Sequence, residues 1–222
     1  MVDEYLDERE QAQQLKQWFK ENWLWLVTGI ALGLGGLYGW RAWNDHLDAR
    51  SREAGERFAE MLQAFDRADR ERGNELAGQI ASEYGSTPYA DQTELVLARV
   101  NADAGELDQA AVRLRGVMEQ SKDAELALVA RLRLARVQLA QGNHDAALAT
   151  LDGAASPAVA ATVAELRGDV LLAKGDRAGA LAAYRQALEA AGPAAAPGLV
   201  DPELLQLKID DLSAAGAEGA GS

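Results

Sequence analysis

The chain has 222 residues, of which 48% are hydrophobic and 26% charged, a composition that suits one globular domain and excludes a wholly disordered chain. Its net charge of -13 argues against nucleic acid as a partner, because that binding depends on lysine and arginine neutralising phosphates. Cysteine is absent, which excludes disulfides, thiolate metal sites and cysteine nucleophiles.

One apolar segment near the N-terminus is long enough to cross a membrane. No charge occurs from Asn22 to Trp40, and a helix of that length, at about 1.5 Å per residue, extends about 28 Å, close to the hydrocarbon thickness of a bilayer. About twenty mostly polar residues precede it, unlike a cleaved signal peptide. Tryptophans flank it, as is typical of membrane interfaces: Trp18, Trp23, Trp25, Trp40 and Trp43. We predict a polar tail over 1–21 and a single transmembrane helix over 22–42.

Charge does not orient this helix. Equal numbers of basic residues lie on its two sides, Arg9, Lys16 and Lys20 before it and Arg41, Arg50 and Arg52 after it. Gly29, Gly33 and Gly36 share one helical face, so the backbone of a partner helix could approach closely there. Glycine is also common in membrane helices in general, and both interpretations stay open.

The remainder of the chain, residues 43–213, is predicted to be an all-α array of helix-turn-helix units. Three segments align from Gly105, Gly142 and Gly175. Each glycine should adopt the left-handed conformation that ends one helix, and the polar residue after it should begin the next. We expect small residues where paired helices approach and bulky residues between them: Ala98, Ala135 and Gly168; Ala110, Ala147 and Ala180; Leu114, Leu151 and Tyr184.

Two further elements complete the array. A weaker unit precedes the repeats, with its two helices joined through Gly73-Asn74. A final helix begins at Asp201-Pro202, with Asp201 as the N-cap, and should cap the exposed end of the array. The alanine- and glycine-rich residues 214–222 are predicted to be a disordered tail.

No motif in the sequence indicates catalysis, a metal site or a cofactor. His46 and His144 are the only histidines, and no nucleotide-binding or hydrolase signature occurs. We therefore expect a non-enzymatic protein that needs no cofactor.

Stacked repeats of this kind offer an inner face for binding, lined by the first helix of each unit. The register predicts that a groove is formed there by Gln92, Leu95, Arg99, Val129, Leu132, Arg136, Asp169 and Leu172. Arg99 and Arg136 could hold an acidic group or the backbone of a peptide, or could simply pair with neighbouring carboxylates.

The helix-turn-helix units resemble the tetratricopeptide repeat, which has about 34 residues. Three other segments resemble the YfgM family of ancillary subunits of the bacterial SecYEG translocon: residues 15–22 (LKQWFKEN), 39–46 (GWRAWNDH) and 204–213 (LLQLKIDDLS). Ala42 stands where that family has an aromatic residue.

The family resemblance implies an inner-membrane protein with a cytoplasmic N-terminus and periplasmic repeats. It also implies partnership with the translocon and with the membrane-anchored chaperone PpiD, near emerging secretory or outer-membrane client proteins. It supplies no catalytic residues.

Two functions of different classes follow from these features. In the first, the anchor holds the repeats beside the translocation channel, where they engage PpiD or emerging secretory proteins. In the alternative, the acidic tail from Asp3 to Glu10, together with the helix to Phe19, sequesters a cytoplasmic stress-response regulator. A hydrolase is disfavoured because no nucleophile, base and orienting group occur in a recognisable motif.

Overall fold

The computed structural model describes residues 2–154, 156–191 and 200–219, except for the side chains of 2–14, 17 and 215–219. Within these ranges the chain forms α-helices and one short 3-10 helix and contains no strand, so the predicted all-α fold is confirmed. The helices are α1 (Val2–Asp66), α2 (Arg70–Glu83), α3 (Pro88–Asp103), α4 (Leu107–Gln120), α5 (Ala124–Ala140), α6 (His144–Asp152), α7 (Ala160–Ala173), α8 (Arg177–Ala191) and α9 (Pro202–Gly219). The 3-10 helix, Pro157–Val159, precedes α7.

Two compact units divide the chain, and each is described by itself. The first is Met1–Glu56 and the second is Arg57–Ser222, so α1 contributes residues to both.

The first unit contains the apolar segment of α1. Among the described residues, one helical stretch is long and apolar enough to cross a membrane; it lies within Trp18–Asp66, its mean hydropathy reaches 1.3, and no part of that apolar window is buried. Polar side chains near it are satisfied within the helix: the Thr28 hydroxyl donates to the carbonyl of Leu24 at 2.7 Å, and the Asn22 amide donates to the carbonyl of Trp18 at 2.9 Å. A helix surrounded by lipid needs such internal bonds because lipid tails offer no hydrogen-bond partners.

The second unit shows the predicted turns between paired helices. Gly105, Gly142 and Gly175 have φ angles of 77°, 76° and 85°, in the left-handed region that favours glycine. The backbone N–H of the residue after each glycine donates to the carbonyl five positions back, at 2.8, 2.8 and 2.9 Å. These bonds satisfy carbonyl groups at the ends of α3, α5 and α7, and the predicted glycine caps are confirmed.

The polar residue after each glycine stands directly before the next helix, as predicted, but its side chain makes a capping bond at only one of these three turns. The Asp176 carboxylate accepts from the backbone N–H of Gly179 at 2.9 Å. Glu106 and Asn143 stand at the N-cap positions of α4 and α6 but make no capping bond with their side chains. Their side chains are engaged elsewhere, Glu106 with Arg70 at 3.5 Å and Asn143 with Gln141 at 3.3 Å.

The small and bulky residues of the repeats pack as predicted. Ala110, Ala147 and Ala180 are completely buried, and the bulky residues that follow them, Leu114, Leu151 and Tyr184, are buried as well. In the third repeat a Cβ atom added to Gly168 would lie 2.4 Å from the Tyr184 ring. The first two repeats hold leucine and have alanine at the matching small position, whereas tyrosine in the third repeat requires glycine.

The prediction for the weaker first unit was wrong about its turn. The connection between α1 and α2 is Arg67–Asp69, with Ala68 at a φ of 60°, and Gly73 lies inside α2. A Cβ atom at Gly73 would lie 2.5 Å from the Phe65 ring. Glycine is therefore needed at Gly73 for close packing against α1 and not for a turn.

The predicted capping helix is confirmed as α9. The Asp201 carboxylate accepts from the backbone N–H groups of Glu203 and Leu204 at 2.9 and 3.3 Å, as an N-cap should. Leu205 and Ile209 are buried in a cluster with Tyr184, so α9 covers the apolar end of α8. The predicted tail, 214–222, overlaps the end of α9, and 220–222 lie outside the described residues; its disorder stays a prediction.

Replacing Ala147 with leucine should lower the free energy of unfolding by about 1 to 3 kcal/mol, because the added atoms have no space between the paired helices. Thermal denaturation of the full chain in detergent, followed by circular dichroism, measures the effect. Ala146 is the preceding residue of α6 and is exposed, so Ala146→Leu is the matched control and should change little. Equal melting temperatures for the two variants would contradict this packing.

Candidate functional site

The inner face of the repeats is formed by α3, α5 and α7, the first helix of each unit. The helices follow one another in space, since α3 contacts α5 and α5 contacts α7. The second helices, α4, α6 and α8, each pack against the first helix of their own unit. Side chains on the exposed side of α3, α5 and α7 are therefore the candidates for binding another protein.

Six of the eight predicted groove residues are at least partly exposed, and two are buried. Arg99, Arg136 and Leu172 are exposed, and Gln92, Val129 and Asp169 are partly exposed. Leu95 and Leu132 are instead buried in separate core clusters. Their burial removes them from the binding surface, because the helices of their own and the following unit cover them.

The charged residues of the inner face are not all paired. Arg99 lies 3.6 Å from the Asp103 carboxylate, an exposed pair four residues apart on α3. Such surface pairs stabilise a fold only slightly. Arg136 forms no ion pair with any carboxylate that the structure describes. Pairing with neighbouring carboxylates therefore accounts for Arg99 but not for Arg136.

Arg133 is a functional candidate that the sequence analysis missed. Partial burial, and then the positive charges of Arg136 and Arg99, lower the pKa of its guanidinium. Arg133 thus lies near the guanidinium groups of Arg136 on α5 and Arg99 on α3, and it also lacks a described carboxylate partner. One signal in the sequence could have revealed it, because no acidic residue occurs between Glu125 and Asp145, a stretch that contains three arginines.

A network of polar groups ties the capping helix to the third repeat. The Lys208 ammonium donates to Glu165 and Asp169, each at 2.9 Å, and the Tyr184 hydroxyl donates to Asp169 at 2.8 Å. The Lys208 ammonium also lies 5.1 Å from the centre of the Tyr184 ring. Asp169 is therefore a structural residue as well as a predicted groove residue.

This network shifts two pKa values in the same direction. Burial raises the pKa of the Tyr184 phenol, and the hydrogen bond to Asp169 raises it further. Burial lowers the pKa of Lys208, but its hydrogen bonds to Asp169 and Glu165 outweigh that effect, so the pKa is raised. Both groups hold their protons more tightly in the folded chain than in the unfolded one.

A cavity in the second unit has carboxylates that are already engaged by other side chains. It has a volume of about 640 Å³ and runs along α3 and α4. Its carboxylates are engaged, since Glu94 pairs with Arg113 at 2.8 Å and Asp91 accepts from the Ser121 hydroxyl at 2.6 Å. Among the described residues, no three His, Asp or Glu side chains are grouped so that they could hold a metal ion.

The glycine face of α1 is open in the structure. A Cβ atom added to Gly29, Gly33 or Gly36 would meet nothing within 4 Å outside the helix's own nearby backbone. These positions leave a shallow strip along the apolar segment where a second helix has room to approach.

Comparisons with known proteins connect this arrangement to one family. A family model described as a tetratricopeptide repeat-like domain matches residues 16–214. A curated protein of Escherichia coli (strain K12) is 36% identical over 94% of this chain and 98% of its own length. A protein of Neisseria gonorrhoeae (strain ATCC 700825 / FA 1090) is 30% identical over 94% and 98%, and one of Haemophilus influenzae (strain ATCC 51907 / DSM 11121 / KW20 / Rd) is 27% identical over 93% and 98%. All three are named "Ancillary SecYEG translocon subunit".

A solved structure supports the fold independently. The chain described as "MamA RS-1 ArsTM double mutant" matches with a TM-score of 0.52 and 16% identity, over 73% of this chain and 96% of its own. At that identity the likeness concerns the fold alone.

The raised pKa values of Tyr184 and Lys208 predict a loss of stability in alkali. Their stabilising contribution is present below the unfolded pKa values, near pH 10, and is lost as pH rises through the folded values. The double variant Tyr184→Phe/Lys208→Met should show a shallower fall in melting temperature between pH 9 and 11. Groups elsewhere titrate equally in both proteins, so the difference between their melting-temperature curves reports on Tyr184 and Lys208 alone. Parallel curves of melting temperature against pH would contradict this prediction.

Proposed function

Because the chain belongs to the YfgM family of tetratricopeptide repeat-like proteins, we propose that it is an ancillary, non-enzymatic subunit of the SecYEG translocon that binds other proteins through its repeats. One observation carries the proposal: identity of 36% to a protein of that name extends over 94% of this chain and includes both the apolar helix and the repeats. The likeness is therefore not confined to the repeats, which occur in proteins of many functions.

The proposed location is the bacterial inner membrane, crossed once by residues 22–42. The exposed apolar segment of α1 supports this location, because its side chains have no protein around them in the structure. Residues 1–21 would be a short cytoplasmic tail, and 43–213 a periplasmic domain. Charge gives no preference between the two orientations, so this one rests on the family resemblance.

The proposed partners act at the exit of the translocation channel. The repeats engage the membrane-anchored chaperone PpiD, emerging secretory or outer-membrane proteins, or both. An array of stacked helical repeats suits this role because its inner face is long and continuous and can hold an extended segment of another chain. The exposed residues Arg99, Arg136 and Leu172 provide charge and apolar contact on that face.

The glycine face of α1 is the proposed contact with a membrane partner. Helices in lipid associate through close packing and not through a hydrophobic driving force, so small residues favour association. Gly29, Gly33 and Gly36 leave space for a second backbone along one side of the segment.

Crosslinking in native membranes tests the translocon proposal. A photoreactive amino acid placed at Leu32, beside the glycine face of the anchor, or at Leu172 on the inner face, should give adducts with translocon subunits or PpiD, identified by mass spectrometry. Deletion of residues 1–14 should leave these adducts intact, whereas a regulatory role of the tail would be abolished by it. Absence of adducts from both positions would overturn the proposal.

Replacing Gly33 with leucine should reduce recovery of translocon subunits after purification in mild detergent, because the new side chain blocks the approach of a partner helix. The circular dichroism melt of the repeats should stay unchanged. Val27→Leu is the control, since residue 27 lies on the opposite side of the helix. Equal recovery with both variants would show that the glycine face is not the contact.

A further inference from the structure

Arg133 and Arg136 on α5 are cations without a carboxylate partner in a strongly acidic protein. The chain has a net charge of -13, yet neither guanidinium forms an ion pair with a described carboxylate. Arg131, the third arginine of α5, donates instead to the backbone carbonyl of Thr150 at 3.4 Å. The positive charge on the exposed side of α5 is therefore not neutralised from within that helix.

The neighbouring helices do not neutralise it either, because their acidic residues are engaged. On α3, Asp103 pairs with Arg99. On α7, Glu165 and Asp169 both accept from Lys208 of the capping helix at 2.9 Å. Lys208 thus pairs with the acidic side chains of α7, the inner-face helix that follows α5.

Positive charges next to Arg133 disfavour its charged form in the unbound protein. The effect is visible at Arg133, where burial and the charges of Arg136 and Arg99 lower the pKa. An anion bound between them would relieve this repulsion, and a planar carboxylate suits a guanidinium because two parallel hydrogen bonds can form.

We propose that Arg133 and Arg136, with Arg99 beside them, form a binding site for acidic peptide segments, held through aspartate or glutamate carboxylates. The inference rests on the proposed function, in which the inner face binds proteins, and it names the kind of segment selected. A peptide is favoured over an anionic lipid surface for two reasons. The chain's overall negative charge repels such a surface, and partly exposed Val129 and exposed Leu172 on the same face offer apolar contact to a neighbouring side chain.

Paired peptides test the proposal on the full chain in detergent micelles. One fluorescein-labelled peptide carries several aspartates among serine and glycine, and its twin carries asparagine in their place. Fluorescence anisotropy at low salt should show at least tenfold tighter binding of the aspartate peptide, and the preference should shrink at high salt. The double variant Arg133→Gln/Arg136→Gln should lose the preference, with at least a tenfold increase in Kd for the aspartate peptide.

The matched control is Arg115→Gln/Arg177→Gln, which removes the same charge from the second helices α4 and α8. This variant should retain the preference, which separates a local site from net charge. Equal Kd values of the wild-type protein for the two peptides, or equal losses in both double variants, would overturn the proposal.

A second experiment tests whether the arginines bind anionic lipid instead of acidic peptides. Phosphatidylglycerol vesicles are mixed with the full chain held in neutral-lipid nanodiscs. Co-sedimentation abolished by Arg133→Gln/Arg136→Gln, without a preference for the aspartate peptide, would also overturn the inference. Crosslinks from the anchor to translocon subunits do not depend on these arginines. Their presence beside a failed peptide test therefore leaves the proposed function standing, whereas absence of adducts from both the anchor and the inner face removes it independently.

Discussion

Close approach of paired helices is the constraint on which the second unit depends. At each pair, small residues on one or both helices make room for a bulky side chain between them. The size of the bulky side chain matches the space left by the small residue opposite it. Tyr184 fills its pair only because Gly168 has no Cβ, and the Phe65 ring packs where Gly73 has none. Interiors packed to this density tolerate little change in volume, so the spacing of the helices, and with it the shape of the inner face, is set by these few contacts.

Charge is distributed unevenly over this scaffold, and the capping helix is part of the reason. Lys208 reaches from α9 to two carboxylates of α7, while Arg133 and Arg136 of α5 stay uncompensated. The same face is therefore neutralised at its C-terminal end and positive in its middle. Because Lys208 pairs with the acids of the third repeat, those acids do not neutralise the arginines of the second repeat.

Much of the fold followed from the sequence because it rests on local rules. Glycine at a left-handed turn, small residues at fixed offsets and Asp201 before Pro202 all act within one or two turns of helix, and each was predicted correctly. The errors arose where distant residues decide. The local pattern predicts a turn at Gly73, but the role of this glycine depends on Phe65, which lies on a different helix. The repeat register places Leu95 and Leu132 in the groove, but it does not show which neighbouring helix covers a position. The stretch without acids between Glu125 and Asp145 is a local signal for Arg133, but the proximity of Arg99 on α3 and the pairing of the α7 acids with Lys208 depend on distant residues.

The asymmetry of the two ends of the array has a consequence for how the protein can diverge. α9 seals the third repeat with buried Leu205 and Ile209 and with the ion pairs of Lys208. A copy of the first or second repeat inserted after α8 would separate these residues from Tyr184 and Asp169, because those two repeats have leucine and arginine at the corresponding positions. A repeat duplicated upstream, between α3 and α6, would pack against its neighbours on both sides through the same small residues that the existing repeats use. Changes in the length of the array should therefore accumulate in its interior, while the C-terminal closure and the register of Lys208 stay fixed.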